Sequence, residues 1–448
     1  MTGVLIDNAT ASERKPEKRS MRVLIVTENV SLRMSGETSV PLYYFNLFQA
    51  RGVDVWMICH ARTRDELCET LPSEVFQKIS FVEDSLLQVL VYKFSHLFPY
   101  RIEDLIFGRI LHSITQFQAR KTVKQLVKDQ NIDLVFEPSP ISPRGLSFMY
   151  DIGVPTVIGP MCGGMDLPPA FKYMESPFTQ ISINIGKYLS QFANMLVPGK
   201  LRANALIVCN ERTEKLLPKG HRAKVYHLRE SGVDLTRWEP KQYHTPQPDQ
   251  PVRFIFCGRL IDWKGAQFLI EAFKTVAEQT NSVLDIIGDG KLHGVLEARV
   301  NELGIQTRVK FHGRLALEDC MEMIRSSDVY VMPSVRECGG LALLETMAIG
   351  LPIVATKWGG PAEYLNSTCG ILVEPGSREK LIEGLAAAMI RLAESPELRR
   401  QLGEEARRRV RTNYFDWDSK VDRMLEIFEE TLAEQQAEAA QLRLKSVV

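Results

Sequence analysis

Two glutamates, Glu337 and Glu345, are separated by seven residues in the stretch Pro333-Ser334-Val335-Arg336-Glu337-Cys338-Gly339-Gly340-Leu341-Ala342-Leu343-Leu344-Glu345. A strand-length apolar run, Val329–Met332, precedes them, and helix-forming residues follow Gly340. That order places Glu337 on a loop and Glu345 in the first turns of a helix, with both carboxylates facing one crevice. The backbone N–H groups of Gly339, Gly340 and Leu341 then point into it, where free helix-terminal amides favour an anion. Glu345 has Ala342, Leu343, Leu344, Met347 and Ala348 around it, and a carboxylate among such residues needs polar partners. Vicinal hydroxyls suit it, because a carboxylate accepts two hydrogen bonds side by side. The plainer alternative is a solvated helix residue.

Cations stand nearby in the pattern. Gly258-Arg259-Leu260 follows the run Phe254–Cys257, and Asp262-Trp263-Lys264-Gly265 lies just before a helix. Arg259 and Lys264 beside a helix N-terminus make a diphosphate site, since side-chain charge and backbone amides act together. Taken alone, they read more simply as two solvated charges on a loop. Gly288-Asp289-Gly290, Gly313-Arg314-Leu315 and Gly359-Gly360-Pro361-Ala362-Glu363-Tyr364 also follow strand-length runs. Each is by itself an ordinary turn.

The elements that position these loops recur along the chain. Strand-length runs occur at Arg22–Thr27, Val53–His60, Asp133–Phe136, Pro155–Ile158 and Ala205–Cys209, the last expected to close the first half. A second series follows at Arg253–Cys257, Val283–Ile287, Val309–His312, Val329–Met332, Pro352–Ala355 and Gly370–Val373. Near-continuous apolar strands alternating with helical stretches predict parallel sheets covered on both faces. Residues 239–251 are rich in proline and polar groups and read as a linker. The expected organisation is a leader over 1–20, an N-terminal domain over 21–238, the linker, a C-terminal domain over 252–412, and a terminal helix and tail over 413–448. Within the last segment, the helix is expected over Trp417–Gln436, with Ala437–Val448 trailing off.

The 448 residues carry 55 basic and 55 acidic side chains, a balance that argues against broad nucleic-acid binding. Eight cysteines form no CxxC pair and read as small apolar residues of a reducing compartment rather than a disulfide framework or zinc site. No apolar run approaches the ~18 residues that span a bilayer, and residues 1–20 lack a signal-peptide core. A cytoplasmic protein is expected. Asp416-Trp417-Asp418 reads as the acidic cap of the terminal helix, and no metal or other cofactor is expected.

In their order over residues 253–375, these motifs resemble the C-terminal half of the retaining family-4 glycosyltransferases. The resemblance implies an α/β GT-B fold: two Rossmann-like, doubly wound domains facing across a cleft, with a C-terminal helix. It implies a nucleotide-diphosphate sugar as donor, with Arg259 and Lys264 on the phosphates, Glu337 on the sugar and Glu345 on the ribose. Gly339, Gly340 and Leu341 would hold the distal phosphate, and Gly258, Gly313 and Gly36 would also line the donor site. Cys338 stands where glycine is usual, and Gly339 where many relatives have an aromatic residue.

The N-terminal half is similar more loosely. Ser35-Gly36-Glu37 sits where relatives often have paired glycines. In Phe136-Glu137-Pro138-Ser139, Phe136 replaces a common histidine, implying a lost polar contact to the sugar. Gly159-Pro160-Met161-Cys162-Gly163-Gly164-Met165 is similar to bacterial exopolysaccharide-type members, which makes Glu137, Gly163 and Gly164 expected acceptor or cleft residues. The implied chemistry is transfer with retention, the leaving phosphate taking the acceptor proton, to a glycan or lipid-linked acceptor.

A catalytically silent nucleotide-sugar-binding regulator is the rival reading. An epimerase of the same fold fits the glutamate spacing less well. An oxidoreductase is set aside because no GxGxxG follows the first strand of either half. The apolar residues of 84–126, interleaved with Lys93, Arg101, Arg109, Arg120, Lys121 and Lys124, allow either a peripheral contact with an anionic membrane or helices that cover the N-terminal sheet. The stretch Phe178–Leu201 is similar.

Overall fold

The computed structural model describes residues 20–31, 33–34, 36–97, 107–138, 142–175, 177–243 and 249–445. Ser35, Ser139, nearly all of the expected leader, 244–248 of the expected linker and Arg101 of the basic stretch lie outside the described residues.

The first sheet comprises β1 (Arg22–Val26), β2 (Asp54–His60), β3 (Ile79–Val82), β4 (Leu134–Glu137), β5 (Thr156–Met161), β6 (Ala205–Val208) and β7 (Lys224–His227). Its strands are parallel in the order β3-β2-β1-β4-β5-β6-β7. The second comprises β8 (Val252–Cys257), β9 (Ser282–Ile287), β10 (Val309–Gly313), β11 (Val329–Met332), β12 (Ile353–Thr356) and β13 (Ile371–Val373). These are also parallel, in the order β10-β9-β8-β11-β12-β13.

Alternation along each central strand explains why the apolar runs are continuous. On β1, Val23 and Ile25 enter one core, while Leu24 and Val26 enter another on the opposite face. On β8, Phe254 and Phe256 face one core and Ile255 the other. This is the GT-B architecture of two doubly wound sheets.

Ala205–Cys209 does not close the first half, because β7 follows it. That strand and β3 are the two edges of their sheet. Lys224-Val-Tyr-His227 buries only Tyr226, and Ile79-Ser-Phe-Val82 buries only its two ends, so neither shows the continuous apolar signature of a central strand.

The terminal helix Trp417–Lys445 runs past the expected end at Gln436, although its last turns are exposed. It packs on the N-terminal domain. Trp417 stacks on Tyr43 with ring centroids 4.7 Å apart, and Phe428 meets Phe48 at 5.4 Å and Phe136 at 5.2 Å. Asp416 caps this helix, accepting from the Ser419 amide at 2.9 Å, and Asp418 pairs with Arg51 at 3.0 Å. The helix that follows the second domain therefore packs on the first. Phe428→Ala empties a fully buried site and is expected to lower stability by about 3–5 kcal/mol, read as a fall in the guanidinium unfolding midpoint.

Candidate active site

The chain order of the C-terminal sheet reverses between β8 and β11, and a ligand crevice forms beyond strand ends at such a point. After β8 the chain makes a short 3-10 turn over Asp262–Lys264 and passes through Gly265 in the left-handed region, at φ 77°. A Cβ there would lie 2.2 Å from the Pro333 carbonyl, so glycine is what lets the two loops touch. The Val335 amide donates to the Trp263 carbonyl at 2.9 Å and locks them together. This contact brings Lys264 Nζ into an ion pair with Glu337 Oε2, and both side chains are largely shielded. Arg259 is exposed at the mouth of the same loop.

Gly340, at φ 68°, is the N-cap of helix Leu341–Ile349 and has no side-chain cap. The first amides of that helix are thereby left for a ligand. Behind Glu337, the Gly360 amide donates to its carbonyl at 2.8 Å, and a Cβ on Gly359 would lie 2.6 Å from the same oxygen. Glu345 sits on the second turn. Burial pushes its carboxyl up to about 7 against the pull of Arg237, and no residue among those described donates a hydrogen bond to it. Tyr330 lies near both carboxylates, its phenol raised by burial first and then by neighbouring charges that include Glu337 and Glu345. Gly258 and Gly313 shape adjacent strand ends: the Gly258 amide donates to Ile287, and Gly313, at φ 64°, accepts from Gly288 at 2.7 Å.

On the N-terminal side, Gly36 opens helix Gly36–Ala50. Gly163 and Gly164 follow β5. Their Cβ atoms would come within 2.8 Å of Pro143 and 2.6 Å of Leu216, so both are packed against their own domain. Glu137 ends β4 fully buried, accepting from Gln116 and Ser147 at 2.6 Å each. Burial pushes its carboxyl up to about 7, while the enclosed Lys200 is pushed down to about 7. Phe136 packs inside its own domain. Strand alternation sends it away from Glu137 into the core, 5.1 Å from Tyr44 and 5.2 Å from Phe428, so it does not face a sugar across the cleft.

Two groupings escaped the sequence. His112, from helix Gly108–Asp129, bonds Glu28 at 2.7 Å where β1 ends, and its Nε2 is buried without a partner. Glu28 is held below its ordinary value: burial raises it, but the His112 bond and the nearby cations outweigh that. No motif links a glutamate after one strand with a histidine on a distant helix. Glu363 joins the domains, accepting from Asn210 at 2.9 Å and pairing with Arg212 at 3.2 Å and with Arg229.

Residues 239–409 match the family described as "Glycosyl transferases group 1". This group 1 region contains β8 to β13 and thus the Lys264, Glu337 and Glu345 crevice. An N-acetyl-alpha-D-glucosaminyl L-malate synthase of Bacillus anthracis is 30% identical over 206 residues, 45% of this chain and 52% of that protein. The chain thus spans about half the length of that curated relative. A solved glycosyltransferase of Rickettsia africae ESF-5 shares the fold with a TM-score of 0.61 at 16% identity, covering 92% of this chain and 99% of that one. Anabaena HepE in complex with UDP aligns with a TM-score of 0.58 at 16% identity, covering 92% and 100%. The fold likeness extends over both sheets.

Proposed function

We propose that this protein is a retaining glycosyltransferase of the hexosyltransferase type. It moves a sugar from a nucleotide-diphosphate donor to a glycan or lipid-linked acceptor at the cytoplasmic face of a membrane, in bacterial surface or exopolysaccharide synthesis. The observation that carries the reading is the Lys264–Glu337 pair beside the uncapped helix at Gly340, with Glu345 enclosed one turn further on. Lys264, Arg259 and the helix amides oppose the charge that develops on the departing diphosphate. Glu337 accepts from the sugar and Glu345 from the ribose. The leaving phosphate takes the acceptor proton, so the step itself needs no metal and no protein base. The names of relatives are in keeping with this, among them a GDP-mannose-dependent mannosyltransferase of Corynebacterium glutamicum and HepE with UDP.

Nucleoside-diphosphate release from a panel of nucleotide sugars, with and without acceptor extracts, tests the reading. Release from one donor that acceptor accelerates supports it. Binding of a donor without release would favour the catalytically silent alternative.

Exposed apolar side chains support the membrane contact. Helix Leu86–Ser95 turns Leu86 (85% exposed), Leu90, Tyr92 and Phe94 to solvent, and helix Pro177–Leu196 exposes Tyr188 (81%), Phe192 and Leu196. Lys93, Arg109, Lys121 and Lys124 add positive charge, the combination that seats a protein on an anionic surface. No helix among the described residues is long and apolar enough to cross a membrane. Co-sedimentation with phosphatidylglycerol vesicles is expected at low salt, and to fall severalfold in Leu86→Asp/Leu90→Asp. Equal sedimentation of that variant would place the contact elsewhere.

A further inference from the structure

The carboxyl ends of three neighbouring strands converge on one small buried cluster outside the donor crevice. Cys162 follows β5, Cys209 follows β6 and Glu230 lies just past β7. Their Sγ and carboxylate atoms all lie within 4.8 Å of one another, with Cys209 Sγ 2.7 Å from Glu230 Oε2. A fourth donor arrives from the other domain: Cys338 Sγ, on the Glu337 loop, is 3.3 Å from Cys162 Sγ. We propose that Cys162, Cys209, Glu230 and Cys338 form a zinc site that fastens the Glu337 loop to the N-terminal sheet.

The donor set and spacing fit that ion. Zinc takes four ligands in a tetrahedron, with zinc–sulfur bonds of about 2.3 Å, so ligand atoms stand about 3.8 Å apart. Three of the donor atoms lie within 4.8 Å of one another, and the fourth, Cys338 Sγ, is 3.3 Å from Cys162 Sγ. The surroundings suit an anionic thiolate-rich centre. Lys420 is fully buried, and its Nζ donates to the Arg229 carbonyl at 2.6 Å, next to Glu230 in the chain. Tyr44 and Tyr364 are buried within electrostatic reach of Glu230 and Cys209, and the hydroxyl of each lacks a partner among the described residues.

Gly339 completes the argument. A Cβ at this position would lie 2.7 Å from Glu230 Oε1, so a larger residue would displace the carboxylate from its present place. A carboxylate this close to the Gly339–Leu341 amides opposes an incoming phosphate, and binding to zinc reduces that opposition. Cys338 and Gly339, the two departures from the family pattern at this loop, thereby acquire one shared explanation. Zinc binding releases the thiol protons to solvent, with no change of oxidation state. The benefit to an incoming phosphate rests on the proposed function, whereas zinc binding itself does not.

The test is metal analysis of the full chain, purified without chelator and dialysed against micromolar zinc. About one zinc per chain is expected, with X-ray absorption showing sulfur neighbours at about 2.3 Å. Stoichiometry is expected to fall at least tenfold in Cys209→Ser and in Cys162→Ser/Cys338→Ser, and to stay at one in Cys369→Ser, whose thiol lies elsewhere. A metal-free wild type after dialysis overturns the proposal, and so does full zinc in the double variant. A Cys162–Cys338 disulfide found by non-reducing peptide mapping of the purified chain overturns it as well. Because the wild-type measurements do not depend on a variant folding, the outcome is decided even if Cys209→Ser does not accumulate.

Discussion

Lys264→Ala is expected to lower transfer turnover at least a hundredfold. Lys264 is the shielded cation of the C-terminal crevice, whereas Arg259 is exposed and its charge is screened by water and salt. Removing a preorganised contact to developing charge typically costs about 2.7–4 kcal/mol in the transition state. The substitution also strips Glu337 of its partner, leaving a shielded carboxylate where the diphosphate must settle. Because Lys264 sits on a short turn outside the strands, the far-ultraviolet circular dichroism of the purified variant is expected to match wild type. Turnover near wild type would remove Lys264 from the mechanism.

Glu345→Ala is expected to have a loss of the same size for a different reason. Its carboxylate has no donor among the described residues and is pushed up to about 7 by burial, so the empty site keeps an unfavourable charge ready for ribose hydroxyls. The sign for stability follows from that shift. The folded chain holds this proton more tightly than the unfolded one, so stability falls as pH rises from 4.5 to about 7 and levels off above. Glu345→Gln removes this contribution. Relative to wild type, its unfolding midpoint is expected to gain as pH rises through that window, while its turnover stays low. Loss of activity without loss of stability separates a ligand contact from a fold-supporting one.

Much of the C-terminal crevice was legible because it is local. Gly258, Gly265, Gly340 and Gly359 each mark a loop at a strand end, and the loops bring Lys264 and Glu337 together through contacts between neighbouring strands. The central strands were legible because both of their faces are buried. The edges β3 and β7 were not, since half-solvated strands carry polar residues in no fixed pattern.

What the sequence hid depends on chain returns. The place of Phe136 in the core shows only when the terminal helix brings Phe428 against it. Glu137 reads as an acceptor contact, yet it is enclosed by Gln116 and Ser147, with Lys200 buried close by. The eight cysteines read as isolated apolar residues, because Cys162, Cys209 and Cys338 are far apart in the chain and meet only when two sheets face each other.

The most direct test of the central claim is a crystal structure with the nucleoside diphosphate of whichever sugar nucleotide the enzyme turns over. The account predicts the ribose on Glu345, with the phosphates between Lys264, Arg259 and the amides of Gly339 to Leu341. A nucleotide bound instead at the strand ends of the N-terminal sheet, with Glu345 unoccupied, would contradict it.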